Sequence, residues 1–449
     1  MHKRCGFLLC FSACNQRFGV VVLLSFTDSG IIDSIMDSGK TTYIINYINN
    51  HQDKRFLIVV PTINKTQEKD GFEKIGEVGR YLKNIHAQAY EPITAPTKPQ
   101  GLKNLIKSGK NIVTTHALIQ RIDAETMELI RNQNYTLVID ETLDCVHEYN
   151  DHFKKSDLKL LLKAEYVHIQ DDGFLKWNDE VQSYDGRYEN FKNLCNLKSL
   201  MVLKKRNNQW SDSIVIWNMP INFFSLFNEC FILTYLFEGS FQAAYFKLNN
   251  IRYNHQTILN GVVVPYNLNN ELLQRREKFK LIRFCHIENN YYRNNQKGKP
   301  FTKNWYMKRK DINSQYHYEL KELSNDVYNF YHHKIKCDSK DLLWTTFKDY
   351  KSTIKGKGFT KRFLACNSKG TNDYQNCKAL AYLIDLHPQQ DLVNFFKSFN
   401  VEINIDLYSL SEMLQWIWRS QIRNNLAIDV YIPSQRMREL IAKWGKGKI

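Results

Sequence analysis

The sequence has 449 residues, 43% of them hydrophobic and 13% aromatic. That is enough chain for two or three buried cores and too apolar for a disordered protein. Lys and Arg outnumber Asp and Glu by 62 to 46, a formal net charge of +16. The excess points to a polyanionic partner, nucleic acid before an anionic membrane surface, with a solvated Lys/Asn-rich surface as the plain alternative. No apolar run reaches the 18 residues a membrane span needs. The ten cysteines are scattered with no C-x-x-C pair, which argues against a disulfide framework or zinc site. These features predict a cytoplasmic protein with no stable membrane association.

Residues 1–29 are an uncertain lead-in. Their basic start and the run GFLLCFSA look like a short export signal, but the loop that follows favours a plain lead-in or an extra strand at Val20–Phe26. From Gly30 an alternation of strands and helices is clear. Ile31-Ile32 reads as a short strand leading into SIMDSGKTT (residues 34–42). That stretch has the x-G-K-[ST] form of a phosphate-binding loop, whose backbone N–H groups, Lys and hydroxyl bind phosphates and Mg²⁺. The candidates are Asp37, Ser38, Gly39, Lys40, Thr41 and Thr42, with Ser34 and Asp37 standing where glycines are usual.

A helix over Thr42–Asn49 follows, with Ile44, Ile45 and Ile48 facing inward. Phe56–Val60 (FLIVV) reads as a buried parallel strand ended by Pro61. Gly71–Ile85 is predicted helical, Asn111–Thr114 a strand and Ala117–Arg131 a helix. Leu137-Val138-Ile139 then runs into Asp140-Glu141, placing two carboxylates at a sheet's C-terminal edge beside the loop. There one acid can hold Mg²⁺ and its neighbour can activate water. Cys145, His147, Glu148 and His152 fit no standard metal spacing and read as a helix face. Residues 151–229 are a polar elaboration of the first domain, after which Phe231–Thr234 resumes the core.

A boundary is expected near residue 250, giving domains at 30–250 and 251–449. The second half opens with strands at Val262–Val264 and Phe279–Phe284. Residues 289–310 interleave Tyr291, Tyr292, Trp305 and Tyr306 with basic residues, a mixture suited to phosphate contact and base stacking. Strands at Leu342–Phe347 and Phe363–Cys366, a helix over Ser409–Asn424, a strand at Ile428–Ile432 and a final helix from Gln435 complete a second α/β domain.

The ordered set resembles superfamily 2 DEAD/DEAH-like helicases of phage and prophage type, and the related herpes-type replication origin-binding helicases. SIMDSGKTT resembles motif I, VVPTINKT (59–66) motif Ia, VTTH (113–116) the TTH-like block and DETL (140–143) motif II. ILTYLFEGS (232–240) stands at motif III, ACNSKGTNDY (365–374) resembles motif V and QWIWRSQIR (415–423) motif VI.

The resemblance implies two RecA-like doubly wound parallel-sheet domains with an ATP cleft between them. It implies Lys40 on the β/γ-phosphates, Thr41 and Asp140 on Mg²⁺, and Glu141 as general base. Gln415, Arg419 and Arg423 would reach across the cleft, one arginine acting as a finger. Thr62, Thr114, Thr115, Thr371 and Asn372 would grip the backbone of nucleic acid, DNA favoured over RNA. The function implied is an ATP-dependent helicase or translocase serving phage or plasmid replication. The chain departs from the family at Tyr235, Lys369 and Trp418, and Arg423 stands eight residues after Gln415 rather than seven. Two other readings stay open: a nucleic-acid-binding replication protein with a weakened ATP site, and a nucleotide kinase suggested by the local M-x-S-G-K pattern.

Overall fold

The computed structural model describes residues 30–62, 67–69, 72–74, 77–86, 88–92, 96–204, 209–287, 300–368 and 373–449. The lead-in at 1–29, Tyr291, Tyr292, Lys369, Thr371 and Asn372 lie outside them. Two sheets organise the chain. The first runs, in spatial order, Val262–Pro265, Asn254–Leu259, Gly30–Asp33, Glu229–Thr234, Tyr135–Asp140, Arg55–Val60, Asn111–Thr115 and Ala89–Tyr90. All neighbours are parallel except the hairpin at its outer edge, Asn254–Leu259 with Val262–Pro265.

The strands are continuously apolar because both faces are covered. Ile32, Ile58, Val138 and Leu233 meet Ile44 and Ile48 of the helix Lys40–Asn50, and Val78 and Tyr81 of Glu77–Asn84. Ile31, Leu57, Val59, Ile139 and Ile232 meet Ile106, Ile130 and Phe246 on the other side. Burial of each such Ile or Leu side chain contributes about 1.5–3 kcal/mol.

The second sheet is wholly parallel, in the order Ile282–Phe284, Ile428–Tyr431, Ala379–Tyr382, Leu342–Thr345. Leu343, Leu380 and Val430 pack under the helices Ile405–Ile417 and Gln435–Gly445. Leu342, Trp344 and Ala381 pack under Lys303–Lys310 and Tyr318–Asn329. Both domains are thus α/β with doubly covered parallel sheets. Among the described residues no helix is long and apolar enough to cross a membrane.

Several expectations need correction. The strands Asn254–Leu259 and Val262–Pro265 belong to the first sheet, so a cut at residue 250 would split it. Phe279 lies in the last turn of the helix Leu268–Lys280, and the strand begins only at Ile282. The expected helix over Gly71–Ile85 is a strand, Phe72–Lys74, followed by the helix Glu77–Asn84. Ala117–Arg131 breaks in two because Asp123 caps a new helix, its carboxylate accepting from Thr126 N at 2.9 Å. Phe363 makes only an isolated bridge to Trp344. Trp305 and Tyr306 are core residues, 6% and 0% exposed, and offer no stacking platform. His147 and Glu148 lie on a strand, Val146–Glu148, not a helix face.

That strand joins Trp210–Asn218 and Leu200–Lys204 in a small antiparallel sheet of the elaboration. The helix Gln390–Ser398 belongs to the second half in sequence, yet it docks here. Leu392, Phe395 and Phe396 are buried in the first domain's core, and Gln389 Nε2 donates to Glu148 Oε2 at 2.9 Å. This apolar contact latches the two halves together.

Candidate functional site

The C-terminal edge of the first sheet gathers the sequence-predicted loop and both carboxylates. Ser34 occupies the place of a glycine without leaving the sheet. Its N–H donates to Thr234 O at 3.1 Å, and its Oγ accepts from Ile258 N and shares a proton with Thr257 Oγ1, each at 2.7 Å. Asp37 takes up a left-handed conformation, φ 69°, which Asp tolerates better than most residues. The charge therefore replaces Gly without changing the turn. Gly39, φ 88°, opens the helix Lys40–Asn50; a Cβ there would meet nothing within 4 Å, so only the backbone angle calls for glycine. Thr42 is exposed and Thr41 half-buried on the helix's first turn.

Lys40 Nζ folds back onto Ser34 O at 2.5 Å and Ile35 O at 3.0 Å. Burial lowers its pKa to about 8, opposed by Asp33, Asp140, Glu271 and Glu141. Asp33 anchors the next segment, accepting from Leu236 N at 2.7 Å and Phe237 N at 2.9 Å.

Asp140 ends the strand Tyr135–Asp140. Arg80 Nη2 and Tyr81 OH donate to its Oδ2 at 3.2 and 2.9 Å. Burial raises its pKa and Glu141 adds to the rise; Arg80, Tyr81 and Lys40 oppose it. Glu141 sits at φ 64°, a strained turn that swings its carboxylate toward the second domain. There Arg419 Nη2 donates to Glu141 Oε1 at 3.2 Å. Nearby Glu77 has its pKa pushed up to about 7 by burial, with Glu141 and Asp140 adding to it and Arg419 and Arg80 opposing.

Arg419 and Arg423 do not share a helix. Ile405–Ile417 ends at Trp418, Ser420 is extended, and Arg423 sits on the short turn Gln421–Asn424. This break is why a spacing of eight residues from Gln415 still brings Arg423 near the site. Its pKa is lowered by burial, Arg419 and Arg80, and held up by Asp37 and Glu141. Arg423 thus lies close enough to the Arg419 and Arg80 guanidinium groups to be repelled by both, an arrangement an anion relieves. Trp418 turns inward, 2% exposed, against Trp444. Gln415 donates to Ser411 Oγ at 3.3 Å on its own helix.

Tyr235, the departure in the motif III block, is an interdomain joint. Its carbonyl accepts from Ser411 Oγ at 3.1 Å and its hydroxyl from Trp444 Nε1 at 2.6 Å. A Cβ on Gly239 would come within 2.7 Å of the Leu407 backbone, so the domains touch there main chain to main chain.

The threonines expected to hold nucleic acid are placed unevenly. Thr62 is half-buried and donates from Oγ1 to Glu77 Oε2 at 3.3 Å. Thr114 and Thr115 are 2% and 7% exposed, and Thr115 accepts from Leu118 N as a helix cap; at the end of a covered strand neither meets solvent. Glu77 and Arg80 were missed, and the only signal was a polar face on a helix of period 3.6.

Several buried polar atoms here lack partners: Ser38 Oγ, Arg80 Nε, Glu141 Oε2 and Arg419 Nε. Buried polar groups are seldom left so. A phosphate group with its water or ion would supply acceptors to Ser38, Arg80 and Arg419 and a donor to Glu141, so the residues fit such a group. Among the described residues no three His, Cys, Asp or Glu side chains gather as a metal cluster.

Comparisons with known proteins agree on a relationship. A family profile for the YonV C-terminal Rossmann-like domain matches residues 276–445, and one for the YonV middle domain matches 149–218. The SPbeta prophage-derived uncharacterized protein YonV of Bacillus subtilis (strain 168) is 35% identical over 436 residues, covering 92% of this chain and 98% of that protein. Among solved structures, XPD_Helicase aligns over 93% of this chain and 94% of its own at 12% identity and a TM-score of 0.43. The DUF1998 helicase MrfA bound to DNA and AMPPNP aligns over 93% of this chain and 48% of its own, at 12% identity and 0.34; both likenesses are too shallow to fix fold or function. On the full-length relative and the two matched domains, the chain belongs to the YonV family.

Proposed function

We propose that this chain is a nucleic-acid-dependent ATPase of the helicase or translocase type, acting on DNA in phage or plasmid replication. The observation that supports it above the rest is the Arg419–Glu141 pair, 3.2 Å across the domain boundary at the edge that carries the Lys40 loop. A charged pair there couples a water-activating acid to the relative position of two domains.

In this reading Lys40 leaves the Ser34 and Ile35 carbonyls for the β/γ-phosphates of ATP, with backbone N–H groups of residues 37–42 around them. Thr41 and Asp140 would hold Mg²⁺, which would neutralise charge on the phosphates. Glu141, released from Arg419, takes the proton of the attacking water. Arg419 and Arg423 turn to the γ-phosphate and Gln415 orients the same region, so hydrolysis requires the domains to be closed. Thr62, with Thr371 and Asn372 by their motif alone, is assigned to grip the nucleic-acid backbone; burial argues against Thr114 and Thr115 in that role. The prophage origin of the 35%-identical relative supports the phage setting, and the link to herpes-type helicases rests on the sequence motifs alone.

The test is the ATPase rate alone and with single-stranded DNA, duplex DNA or RNA. Stimulation by DNA is expected, with hydrolysis lost in Lys40→Ala and lowered about 10²–10⁴-fold in Glu141→Gln. ATPase activity indifferent to every nucleic acid would overturn the reading.

A further inference from the structure

We propose that the helix Glu77–Asn84 couples the nucleic-acid face of the first domain to its metal-binding carboxylate. Glu77 and Arg80 are the positioning residues at its two contacts. The inference rests on the function proposed above and adds a route by which one ligand senses the other.

The geometry is a two-ended rod. At one end Thr62, just past the strand Arg55–Val60, donates its N–H and hydroxyl to Glu77 Oε2 at 3.4 and 3.3 Å. One turn on, Arg80 and Tyr81 of the same helix donate to Asp140 Oδ2. Val78 and Tyr81, 3% and 0% exposed, hold the intervening turn against the sheet. A helix held by its core side chains between two polar contacts links those contacts rigidly. A shift of Thr62 on binding a nucleic-acid backbone would therefore displace Arg80 relative to Asp140, and Asp140, were it to hold a cation, would release Arg80 in return. The orphaned Arg80 Nε fits this arrangement: Nη2 pairs with Asp140 at 3.2 Å while Nε, buried beside it, has no partner. Thermodynamic coupling between two sites is reciprocal, so each ligand must change the other's affinity by the same factor.

The experiment uses the full chain, a labelled dT20 oligonucleotide and Mg·AMPPNP, with each dissociation constant measured with and without the other ligand. The wild-type protein is expected to show a coupling factor of about 5-fold or more, equal in both directions. Glu77→Ala and Arg80→Ala are expected to bring it below about 2-fold. Glu77→Gln, which keeps an acceptor oxygen, and Arg80→Lys, which keeps a donor cation, retain a measurable part of it. The melting temperatures of the four variants separate a folding defect from a loss of coupling. A wild-type factor in both alanine variants overturns the inference and leaves the proposed function standing. A wild-type protein that binds neither ligand overturns both.

Discussion

The two domains share one architecture and supply their chemistry in different ways. The first sheet delivers its candidate groups at strand ends, where Asp33, Asp140 and Glu141 follow directly on buried apolar runs and Lys40 opens the helix after the first strand. The second sheet's contribution to the site comes from beside it, at the break where Ile405–Ile417 ends and the chain turns through Trp418–Ser420. Strand ends are rigid and set by the hydrogen-bonded ladder. A helix terminus is set by what it packs against, here Tyr235, Gly239 and Trp444. The fixed half of the site therefore lies in the first domain, and the half that depends on domain position lies in the second.

That contrast can be broken most sharply at Arg419. Arg419→Ala should lower nucleic-acid-stimulated hydrolysis by about 10³-fold if it is the finger, with Mg·ATP affinity changed far less, since the Lys40 loop stays intact. An equal loss in Arg423→Ala would divide the role between them, and no loss in Arg419→Ala would remove the second domain from the chemistry. Single-turnover hydrolysis and nucleotide-binding calorimetry separate these outcomes.

The next effect concerns whether the domains are independent bodies. Phe396 is fully buried where Gln390–Ser398 docks on the first domain's core. Phe396→Ala should cost about 3–5 kcal/mol of stability. If the latch also restrains opening, small-angle scattering should show a larger radius of gyration for the variant. Unchanged scattering with a lowered melting temperature would make the helix a stabiliser only.

The smallest effect is electrostatic. The Glu77 carboxyl is raised from 4.5 to about 7 by burial and by Glu141 and Asp140. Its folded pKa lies above its unfolded one, so the folded protein retains a proton that the unfolded chain loses between about pH 4.5 and 7. Stability must therefore fall as pH rises through that window, with the loss complete above it. Glu77→Gln should flatten this part of the melting temperature against pH, and a slope identical to wild type would show that Glu77 does not carry the proton.

Much of the first domain was legible in the residues. FLIVV and the LVI of LVIDE are apolar at consecutive positions, as a doubly covered strand is, and SIMDSGKTT announced its loop through Gly39, Lys40 and Thr41. Glu77 and Arg80 were illegible because a half-exposed acid and base on a short helix resemble any solvated face. Trp305 and Tyr306 misled for the opposite reason: aromatic residues amid basic ones describe a stacking surface and a buried helix face equally well. Ile258 and Val263 lie close to a composition change, yet hydrogen bonds to Gly30–Asp33 and along the hairpin, which no local pattern encodes, place them in the first sheet.

By itself the sequence determined the parallel α/β class, the loop at Lys40 and the carboxylates of Asp140 and Glu141, because hydrophobic period and strand-end charge are local properties of the chain. Only the tertiary structure decided that Arg419 meets Glu141, that Arg80 holds Asp140, that Tyr235 joins the domains and that Gln390–Ser398 crosses to the first core. Those contacts join residues up to 278 positions apart, and their geometry depends on where whole elements come to rest rather than on any stretch that could be read alone.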